Sequence, residues 1–459
     1  MRWHVERLQK WLRSAACDAL TDSNEPFELP KFGDERPLVG FDEDPPRLIA
    51  WSTALNRAGD ATLKRVDQHV WVAHEFSAHG NAIVPVRWGR RIRDSDQTER
   101  GFWLTLRDLP ILAPWDVPRT WGELRTVATR QKVQLDVHLK WMYHHLHARR
   151  VKEPTTLLVG FPIPRVYDGP PERMHWQPLV LPPPIATSEK NIHVRKRKKE
   201  SAGAWSLERV RLFGDNAQID WRSAEPWAED RLRVRGALAE PLCRASVLIL
   251  GAGALGSALA EFLVRAGVND LVVGDHDLLE VGNLRRHTLD IVHAGHQKSK
   301  AVAERLNRCS PFANVSWTTG LWGNDQNEDA AVRGADVVID CTASDDVMAR
   351  LAAMDLADRE RWFFSGSLGA DASRLFFYAH RGTTFPAAAF LDAMRPYLSE
   401  ERQRLQERDP FSMQGAGCWN PVFPGRWDDI MVLAAHMLRV IESTLVAGIV
   451  DSALTVTAV

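Results

Sequence analysis

Short apolar runs alternate with amphipathic segments through the second half of the chain. The run VLIL is followed by the turn GAGALGS and by a segment that carries Leu259, Phe262, Leu263 and Ala266 on one side. The later runs DLVVGD, VVIDCT and WFFSGS have the length of buried strands, and KSKAVAERLNR has helical spacing. Strands that alternate with helices predict a doubly wound, mostly parallel, Rossmann-like sheet of the α/β class.

The first half has a different pattern, in which β-branched and aromatic residues form extended runs. The runs RLIAW, HVWVAHEF, AIVPVRW and GFWLTL predict strands, because turn-forming residues separate them. Residues 119–150 have helical spacing, and TTLLVGFPIPR and HWQPLVLPPP return to an extended pattern. We expect a smaller α+β domain over residues 1–185. Its many tryptophans suit a small core of large side chains, with a partner-binding face as the alternative.

A charged segment with prolines at its start separates the two halves. The basic run Arg195–Lys199 carries charge that a core cannot accommodate. A solvated linker over residues 186–225 explains this run more simply than a site for nucleic acid or for an acidic partner. The α/β domain is therefore expected over residues 226–459.

Composition and charge narrow the class of protein. The 459 residues include 58 basic and 59 acidic side chains, so no net charge directs the chain to nucleic acid or to a membrane. The first helix is amphipathic and lacks the apolar run of a secretion signal, and the longest apolar stretches are shorter than a bilayer span. The lack of a signal and the low cysteine count predict a cytoplasmic protein. None of the five cysteines forms a CxxC pair, so structural zinc is not expected.

A glycine motif lies between the first strand and the first helix of the α/β domain. Gly251, Gly253 and Gly256 form GxGxxG. The first glycine permits a tight turn, the second lets the backbone approach a phosphate, and the third lets the helix pack on the strand. Asp275 ends the second strand, where a carboxylate can accept hydrogen bonds from ribose hydroxyls. These residues predict an adenosine-containing ligand, and an NAD-dependent oxidoreductase is one class of protein that would bind it.

Several cations follow this acidic strand end. Asn283, Arg285 and Arg286 lie in the segment GDHDLLEVGNLRRHTLD, and Lys298 follows in GHQKSKA. A dehydrogenase expels no phosphate, whereas fixed cations and a metal ion stabilise the charge of a departing pyrophosphate. The cations therefore favour a reaction that releases pyrophosphate from ATP. Carboxylates that are candidates for Mg²⁺ lie in DCTASDD, at Asp340, Asp345 and Asp346.

The combination of GAGALGS, DHDLLEVGNLRRH, GHQKSKA and DCTASDD resembles the ThiF-type adenylyltransferases, which include ubiquitin-activating enzymes. The resemblance covers residues 226–459. It implies that the C-terminal glycine of a ubiquitin-like or sulfur-carrier protein attacks the α-phosphate of ATP. The products would be an acyl-adenylate and pyrophosphate. The family also implies a homodimer built through the nucleotide domains.

The resemblance implies roles for individual residues around the nucleotide. Asp275 would bind ribose, and Asn283 and Arg286 would hold the phosphates, with Arg286 as the main cation at the transition state. Lys298 would contact phosphate. Arg235, in EDRLRVRGAL, corresponds to an arginine that family members bring near the adenylate.

The metal ligand is the role that the resemblance defines least closely. Asp345 would bind Mg²⁺ if Ala343 and Ser344 are two extra residues relative to the family's CTDN motif. Asp340 and Asp346 remain the alternatives.

A second chemical step depends on Cys418. This cysteine lies in GAGCWNPVFPGRWDD, ahead of a helix that is expected to start near Asp428 with an apolar stripe. The stretch resembles the catalytic-cysteine loop of homodimeric activating enzymes for non-ubiquitin modifiers. The resemblance implies that the Cys418 thiolate attacks the adenylate and forms a thioester. The alternative is an ordinary loop cysteine.

The order of the two halves resembles fusions, found in bacterial antiviral operons, of a conjugating-enzyme-like domain to a ThiF-type domain. An active conjugating domain needs an acceptor cysteine, and residues 18–242 contain none. We therefore expect a degenerate conjugating-like domain, or one that recruits the modifier or a separate conjugating enzyme.

These observations favour an ATP- and Mg²⁺-dependent activating enzyme for a ubiquitin-like protein. Activation of a sulfur carrier is the second hypothesis. An ATP-binding scaffold without turnover is the third, because CTASDD departs from the family motif. The NAD-dependent oxidoreductase is the weakest, because no hydride-transfer machinery is evident.

Overall fold

The chain divides into two compact units. The first contains Met1–Arg87 and Ile92–Leu232, and the second contains Trp88–Arg91 and Arg233–Val459. The structure is a computed structural model, and it describes residues 2–17, 25–33, 35–185, 205–319, 326–369, 372–406, 424–448 and 452–458.

A mixed sheet that closes on itself forms the first unit. Its strands lie in the order β1-β8-β7-β6-β5-β2-β3-β4, and β1 also pairs in parallel with β3, so seven strands form a ring and β4 extends from β3. The strands are β1 (Glu35–Phe41), β2 (Ala58–Asp67), β3 (Val70–Ala78), β4 (Asn81–Ala82), β5 (Thr98–Thr105), β6 (Thr155–Pro164), β7 (Pro171–Leu181) and β8 (Asp220–Pro226).

Helices accompany both faces of this sheet. Each face of the sheet packs into its own hydrophobic core. Leu158 lies in the core that contains Trp51 of α2, and its neighbour Leu157 lies in the core that contains residues of α4 and α5. Successive side chains of a strand point to opposite faces, so both faces of β5, β6 and β7 are buried. The helices in this part of the chain are α1 (Arg2–Ala16), α2 (Pro45–Ser52), α3 (Arg90–Arg93), whose first two residues belong to the second unit, α4 (Trp121–Arg130), α5 (Leu135–Ala148) and α6 (205–211).

Two of the predicted strands in this unit are wrong. RLIAW lies in α2, because the Asp44 side chain caps the helix by accepting the amide of Arg47, and two prolines occupy its first turn. AIVPVRW contributes only Ala82 to a strand, since its proline cannot donate a ladder hydrogen bond.

The segment predicted as a linker, 186–225, differs in its second half. Residues 205–211 are helical, and β8 begins at Asp220 and pairs with both β1 and β7. Strand pairing with residues far apart in sequence therefore makes this segment part of the first unit. The basic run Arg195–Lys199 lies outside the described residues.

A buried carboxylate lies among the tryptophans of the first unit. Glu43 Oε1 accepts hydrogen bonds from the indole nitrogens of Trp51 and Trp176, each at 2.9 Å, whereas Oε2 has no hydrogen-bond partner within the described part of the chain. Burial raises the pKa of Glu43 to about 8. The side chain is therefore largely protonated at neutral pH, since a buried carboxylate with one unpaired oxygen is costly.

The second unit is built on a seven-stranded sheet, in the order β11-β10-β9-β12-β13-β14-β15. Neighbouring strands from β11 to β13 pair in parallel, and β14 and β15 add two antiparallel pairings at one edge. The predicted mostly parallel, doubly wound sheet is thus confirmed. The strands are β9 (Val247–Leu250), β10 (Asp270–Gly274), β11 (Asn314–Thr318), β12 (Val337–Asp340), β13 (Arg361–Leu368), β14 (Arg374–Gly382) and β15 (Ala453–Ala458).

The helices of this unit connect and cover the strands. Two short 3-10 helices, Val281–Arg286 and Ile291–His293, follow β10. The α-helices are α7 (Glu229–Arg233), which begins in the first unit, α8 (Glu240–Cys243), α9 (Ala254–Arg265), α10 (Lys298–Leu306), α11 (Gln326–Gly334), α12 (Asp345–Ala353), α13 (Ala387–Gln406) and α14 (Trp427–Ala447).

Helix α14 corrects two expectations. It is long and apolar enough to cross a membrane by length and composition, although no stretch of that length was expected from the sequence. Its apolar stripe nevertheless packs against α9 in the core, with Met437 and Ile441 fully buried. The residue before the helix is Arg426, so Asp428 lies in the first turn and does not cap it.

We predict that replacing Glu43 by Gln removes a pH dependence of stability in the first unit. Because folding raises the pKa of Glu43 from 4.5 to about 8, the folded state binds more protons between these values, and its stability falls as pH rises through this range. The wild-type free energy of unfolding should fall relative to Glu43→Gln by roughly 1.4 kcal/mol per pH unit. Urea unfolding at a series of pH values, followed by tryptophan fluorescence, measures this free energy.

The control for this experiment is Glu153→Gln, at an exposed position of the same unit. It should keep the wild-type pH profile. Parallel profiles for the wild type and Glu43→Gln between pH 5 and 8 would contradict a protonated Glu43.

Candidate nucleotide-binding site

The strand order of the second unit defines where a ligand is expected to bind. From β9 the chain proceeds to one side through β10 and β11, and then crosses to β12 on the other side. Leu250 and Asp340 are register partners at the carboxyl ends of β9 and β12. In open α/β sheets, ligands bind in the crevice at such a switch point. The glycine motif and DCTASDD both begin there.

Each glycine of the motif has a distinct geometric reason. Gly251 has φ +88°, which favours glycine. A Cβ on Gly256 would lie 1.9 Å from the carbonyl oxygen of Gly251, so only glycine lets α9 approach this loop. A Cβ on Gly253 would meet no atom within 4 Å, so this position faces open space at the start of α9. The geometry of Gly251 and Gly256 agrees with the tight turn and the close packing that the sequence predicts, whereas the approach of a phosphate to Gly253 stays a prediction.

Asp275 connects the glycine loop to the end of β10. Its Oδ2 accepts the amide of Ala252 at 2.7 Å, and its Oδ1 accepts the amide of Asp277 at 2.8 Å. Burial raises the pKa of the carboxyl, opposed by these hydrogen bonds and by Lys298. Each carboxylate oxygen has a second lone pair, so ribose binding by Asp275 is compatible with this geometry and stays a prediction.

His287 holds the same loop from the other side, and sequence reasoning missed it. Its Nε2 lies 2.6 Å from the carbonyl oxygen of Ala252, and its Nδ1 accepts the amide of Leu289 at 3.1 Å. A carbonyl only accepts and an amide only donates, so the proton is on Nε2. Burial lowers the pKa of His287 to about 4, and the ring is neutral. The only signal in the sequence is its position directly after Arg286.

Lys298 begins α10 and lies against the end of β10. Its Nζ donates to Asp277 Oδ2 at 2.8 Å, and the side chain is almost fully buried. The next residue, Ser299, donates to the backbone oxygen of Asp275 at 2.9 Å. The structure therefore brings Lys298 and Asp275 together, as the sequence predicts, and adds Asp277 as the lysine's anionic partner.

Asn283 and Arg286 lie on the 3-10 helix Val281–Arg286. Asn283 Oδ1 accepts the amide of Glu280 at 3.1 Å, which is one half of a capping box. Arg286 is half-buried, and burial lowers its pKa, whereas Arg285 is exposed. The phosphate roles of Asn283 and Arg286 stay predictions, and the capping contact is an additional structural role for Asn283.

The acidic residues after β12 have different surroundings. Asp340 is buried and accepts hydrogen bonds from the amide and hydroxyl of Thr342 and from the hydroxyl of Ser365. Burial raises its pKa, so Asp340 serves the fold and is a poor ligand for Mg²⁺. Asp345 and Asp346 are exposed in the first turn of α12.

A second group of potential metal ligands lies at the end of β10. One ligand atom from each of Asp275, His276 and Asp277 lies within 4.8 Å of the others.

The oxygen donors of exposed Asp345 and Asp346 fit the preference of Mg²⁺ for one or two carboxylates, phosphate and water. The assignment of Mg²⁺ to Asp345 stays a prediction.

The roles of the last two candidates stay predictions. Arg235 is exposed in the connection between α7 and α8. Cys418 lies outside the described residues, so its predicted role has no structural test. Among the described cysteines, Cys341 is nearest to the glycine loop, since its amide donates to the backbone oxygen of Leu250 at 2.7 Å. Burial raises the pKa of the Cys341 thiol far above its usual range.

Comparison with known proteins identifies the two regions separately. Residues 18–227 match the family described as the Cap2 central linker domain, and residues 230–410 match the ThiF family. The ATP-dependent ubiquitin transferase-like protein Cap2 of Enterobacter hormaechei subsp. hoffmannii (strain UCI 50) is 33% identical over 440 residues, which cover 94% of this chain and 72% of that protein. The chain belongs to the Cap2 family.

Two other similarities cover smaller shares of this chain. The sulfur carrier protein ThiS adenylyltransferase of Bacillus subtilis (strain 168) is 34% identical over 158 residues, which cover 33% of this chain and 46% of that protein. A crystal structure of E. coli MccB with ATP covers 58% of this chain and 79% of that chain, at 12% identity and a TM-score of 0.34.

Membership of the Cap2 family confirms the predicted resemblance to ThiF-type enzymes. It makes the chain an ATP-dependent adenylyltransferase and excludes the NAD-dependent oxidoreductase. For the first unit, the matched family is a linker domain, whereas the sequence suggested a degenerate conjugating-like domain or a recruiting domain.

We predict that alanine at two glycines of the motif affects two different properties, the stability of the fold and the affinity for ATP. Gly256→Ala forces α9 away from Gly251 and should lower the free energy of unfolding by about 1–3 kcal/mol. Gly253→Ala fits the fold, since no atom lies within 4 Å, but its methyl group occupies the space through which a phosphate would approach. It should keep the wild-type stability and weaken ATP binding at least tenfold.

Urea unfolding and titration calorimetry with ATP measure the two effects. Wild-type ATP affinity in Gly253→Ala would show that the phosphates do not lie against this loop.

Proposed function

We propose that this protein activates a ubiquitin-like protein by adenylating its C-terminal glycine. The observation that carries the proposal is the hydrogen bond from His287 to Ala252, because it fixes the backbone beside Arg286 next to the glycine loop. A cation at this position can stabilise phosphate charge. The similarity to Cap2 supports the same substrate class, since it extends over both units.

In the first step, a carboxylate oxygen of the terminal glycine attacks the α-phosphorus of ATP. A bond to the α-phosphate forms, the bond between the α-phosphorus and the bridging oxygen breaks, and pyrophosphate leaves. Arg286 and Lys298 stabilise its growing negative charge, and Asn283 orients the phosphates. Asp275 holds the ribose and Arg235 lies near the adenylate. Mg²⁺, held by Asp345, would neutralise phosphate oxygens.

In the second step, the Cys418 thiolate attacks the carbonyl carbon of the adenylate. A thioester forms, AMP leaves, and a separate conjugating enzyme then accepts the modifier by transthiolation. The raised pKa values of the Cys309 and Cys341 thiols support a nucleophile elsewhere in the chain.

The proposal extends to the setting of the reaction. We infer a homodimer built through the nucleotide domains, acting in the cytoplasm without nucleic acid, membrane or zinc. The balanced charge of the chain and its lack of paired cysteine motifs support this setting.

Sulfur-carrier activation is less well supported, since the ThiS adenylyltransferase similarity covers only 33% of this chain. The scaffold alternative rests on the departure of CTASDD from the family motif, and pyrophosphate exchange distinguishes it from turnover.

We predict that Arg286→Ala lowers Mg²⁺-dependent exchange of labelled pyrophosphate into ATP by about 10²–10³-fold, as expected when a donor to developing charge is lost. The assay contains a ubiquitin-like protein that ends in glycine. ATP affinity should fall less than tenfold, because the remaining phosphate contacts persist.

Arg308→Ala, an exposed arginine of the same unit, is the matched control and should exchange at the wild-type rate. Wild-type exchange by Arg286→Ala would remove Arg286 from the mechanism. Exchange that does not require the terminal glycine would contradict the proposed substrate.

We predict that a non-reducing gel of the complete reaction shows a thiol-sensitive band of enzyme plus modifier. Cys418→Ala should abolish the band and retain pyrophosphate exchange, because adenylation precedes the thioester. Cys17→Ala, which removes an exposed thiol on the N-terminal side, should retain both. Exchange without any band in the wild type would favour sulfur-carrier chemistry or direct transfer to another protein.

A further inference from the structure

Two consecutive peptide planes of the glycine loop are fixed by side chains. The Ala252 amide belongs to the Gly251–Ala252 peptide and donates to Asp275 at 2.7 Å. The Ala252 carbonyl belongs to the Ala252–Gly253 peptide and accepts from His287 at 2.6 Å. We call this arrangement the Ala252 clamp. All three residues are buried, so water does not compete for these hydrogen bonds.

The clamp determines the direction of the Gly253 amide. A peptide bond is planar and trans, so its N–H points opposite to its C=O. Because His287 binds the Ala252 carbonyl, the Gly253 N–H is directed away from His287. Gly253 is the residue before α9, and a Cβ there would meet no atom within 4 Å. This is the amide that a phosphate approaches in the glycine-motif geometry.

The imidazole is suited to this role because its tautomer is determined from both sides. The Leu289 amide donates to Nδ1, which leaves the proton on Nε2 for Ala252. Burial disfavours a second proton on the ring, and the positive charges of Lys298 and Arg305 disfavour it further. The donor to Ala252 is therefore present without a change of protonation.

The same side chain positions Arg286. The two residues are adjacent, and the bonds from His287 to Ala252 and Leu289 leave the backbone at 286–287 little freedom relative to the glycine loop. Arg286 is half-buried beside it. One histidine thus couples the loop amides, which bind phosphate, to the cation that stabilises the leaving group.

We propose that His287 is a positioning residue of the adenylation site, which aims the Gly253 amide and holds Arg286 against the glycine loop. The kinetic part of this inference rests on the proposed function. The ATP-binding part does not, because it requires only that ATP occupies the loop.

The test compares His287→Leu with His287→Gln. Leucine fills similar space without a donor, whereas the glutamine amide can donate to the Ala252 carbonyl. His287→Leu should weaken ATP affinity at least tenfold by calorimetry and lower the maximal rate of pyrophosphate exchange at saturating ATP at least tenfold. His287→Gln should restore both to within threefold of the wild type.

The control is His175→Leu, which removes a buried histidine that bonds Gln177 in the first unit. It should change neither quantity in folded protein. A merely structural role of His287 would lower the unfolding temperature and leave the ATP affinity of the folded fraction unchanged, and that result would overturn the proposal. So would a folded His287→Gln variant as defective as His287→Leu.

If His287→Leu does not fold, the test uses His287→Asn. The asparagine side chain is one bond shorter than that of glutamine, so its amide cannot reach the Ala252 carbonyl. Wild-type ATP affinity in His287→Asn would overturn the clamp. A wild-type enzyme that binds ATP but shows no exchange with any modifier would contradict the proposed function, and the ATP affinities of the variants would still decide the clamp.

Discussion

The buried carboxylate of Asp275 is the contact on which the nucleotide site depends. The carboxylate accepts hydrogen bonds from the amides of Ala252 in the glycine loop and of Asp277. The backbone oxygen of Asp275 accepts a hydrogen bond from the hydroxyl of Ser299. Three segments distant in sequence are therefore joined at one residue. A buried carboxylate is costly unless it is hydrogen-bonded, so the loops that satisfy it are held in place by the same free energy. Two of the predicted phosphate-binding groups, the Gly253 amide and Lys298, lie on these segments.

The first unit buries the carboxyl group of Glu43 in a different way. Glu43 has tryptophan donors on one oxygen, and no described residue bonds the other. Burial raises its pKa to about 8, so it is kept largely neutral inside a closed sheet. Around it, Trp51 and Trp176 pack with centroids 4.8 Å apart. A neutral carboxyl group held by two indole donors suits a tightly packed core.

Local patterns in the sequence predicted the parts of the fold that depend on neighbours along the chain. The β9–glycine–α9 unit, β10, α10 and β12 follow from apolar periodicity and glycine spacing. RLIAW is helical instead, because Asp44 and two prolines start a helix at a run whose apolar residues alone predict a strand. The closure of β1 on β3 and β8 joins residues far apart, for which one sequence contains no signal. The contact of His287 with Ala252, 35 positions away, escaped prediction for the same reason.

The packing around the glycine loop also explains why a thioester would require a cysteine from elsewhere. Cys341 follows β12 at the switch point, and its Cβ lies 3.3 Å from the place where a Cβ of Gly256 would be. The close approach of α9 thus fixes the cysteine as packing, and burial raises its thiol pKa. The described cysteine nearest to the glycine loop cannot readily become a thiolate, because ionisation there would place an unpaired charge in the core. The thioester that we propose would therefore need a different cysteine, and the proposal assigns that role to Cys418.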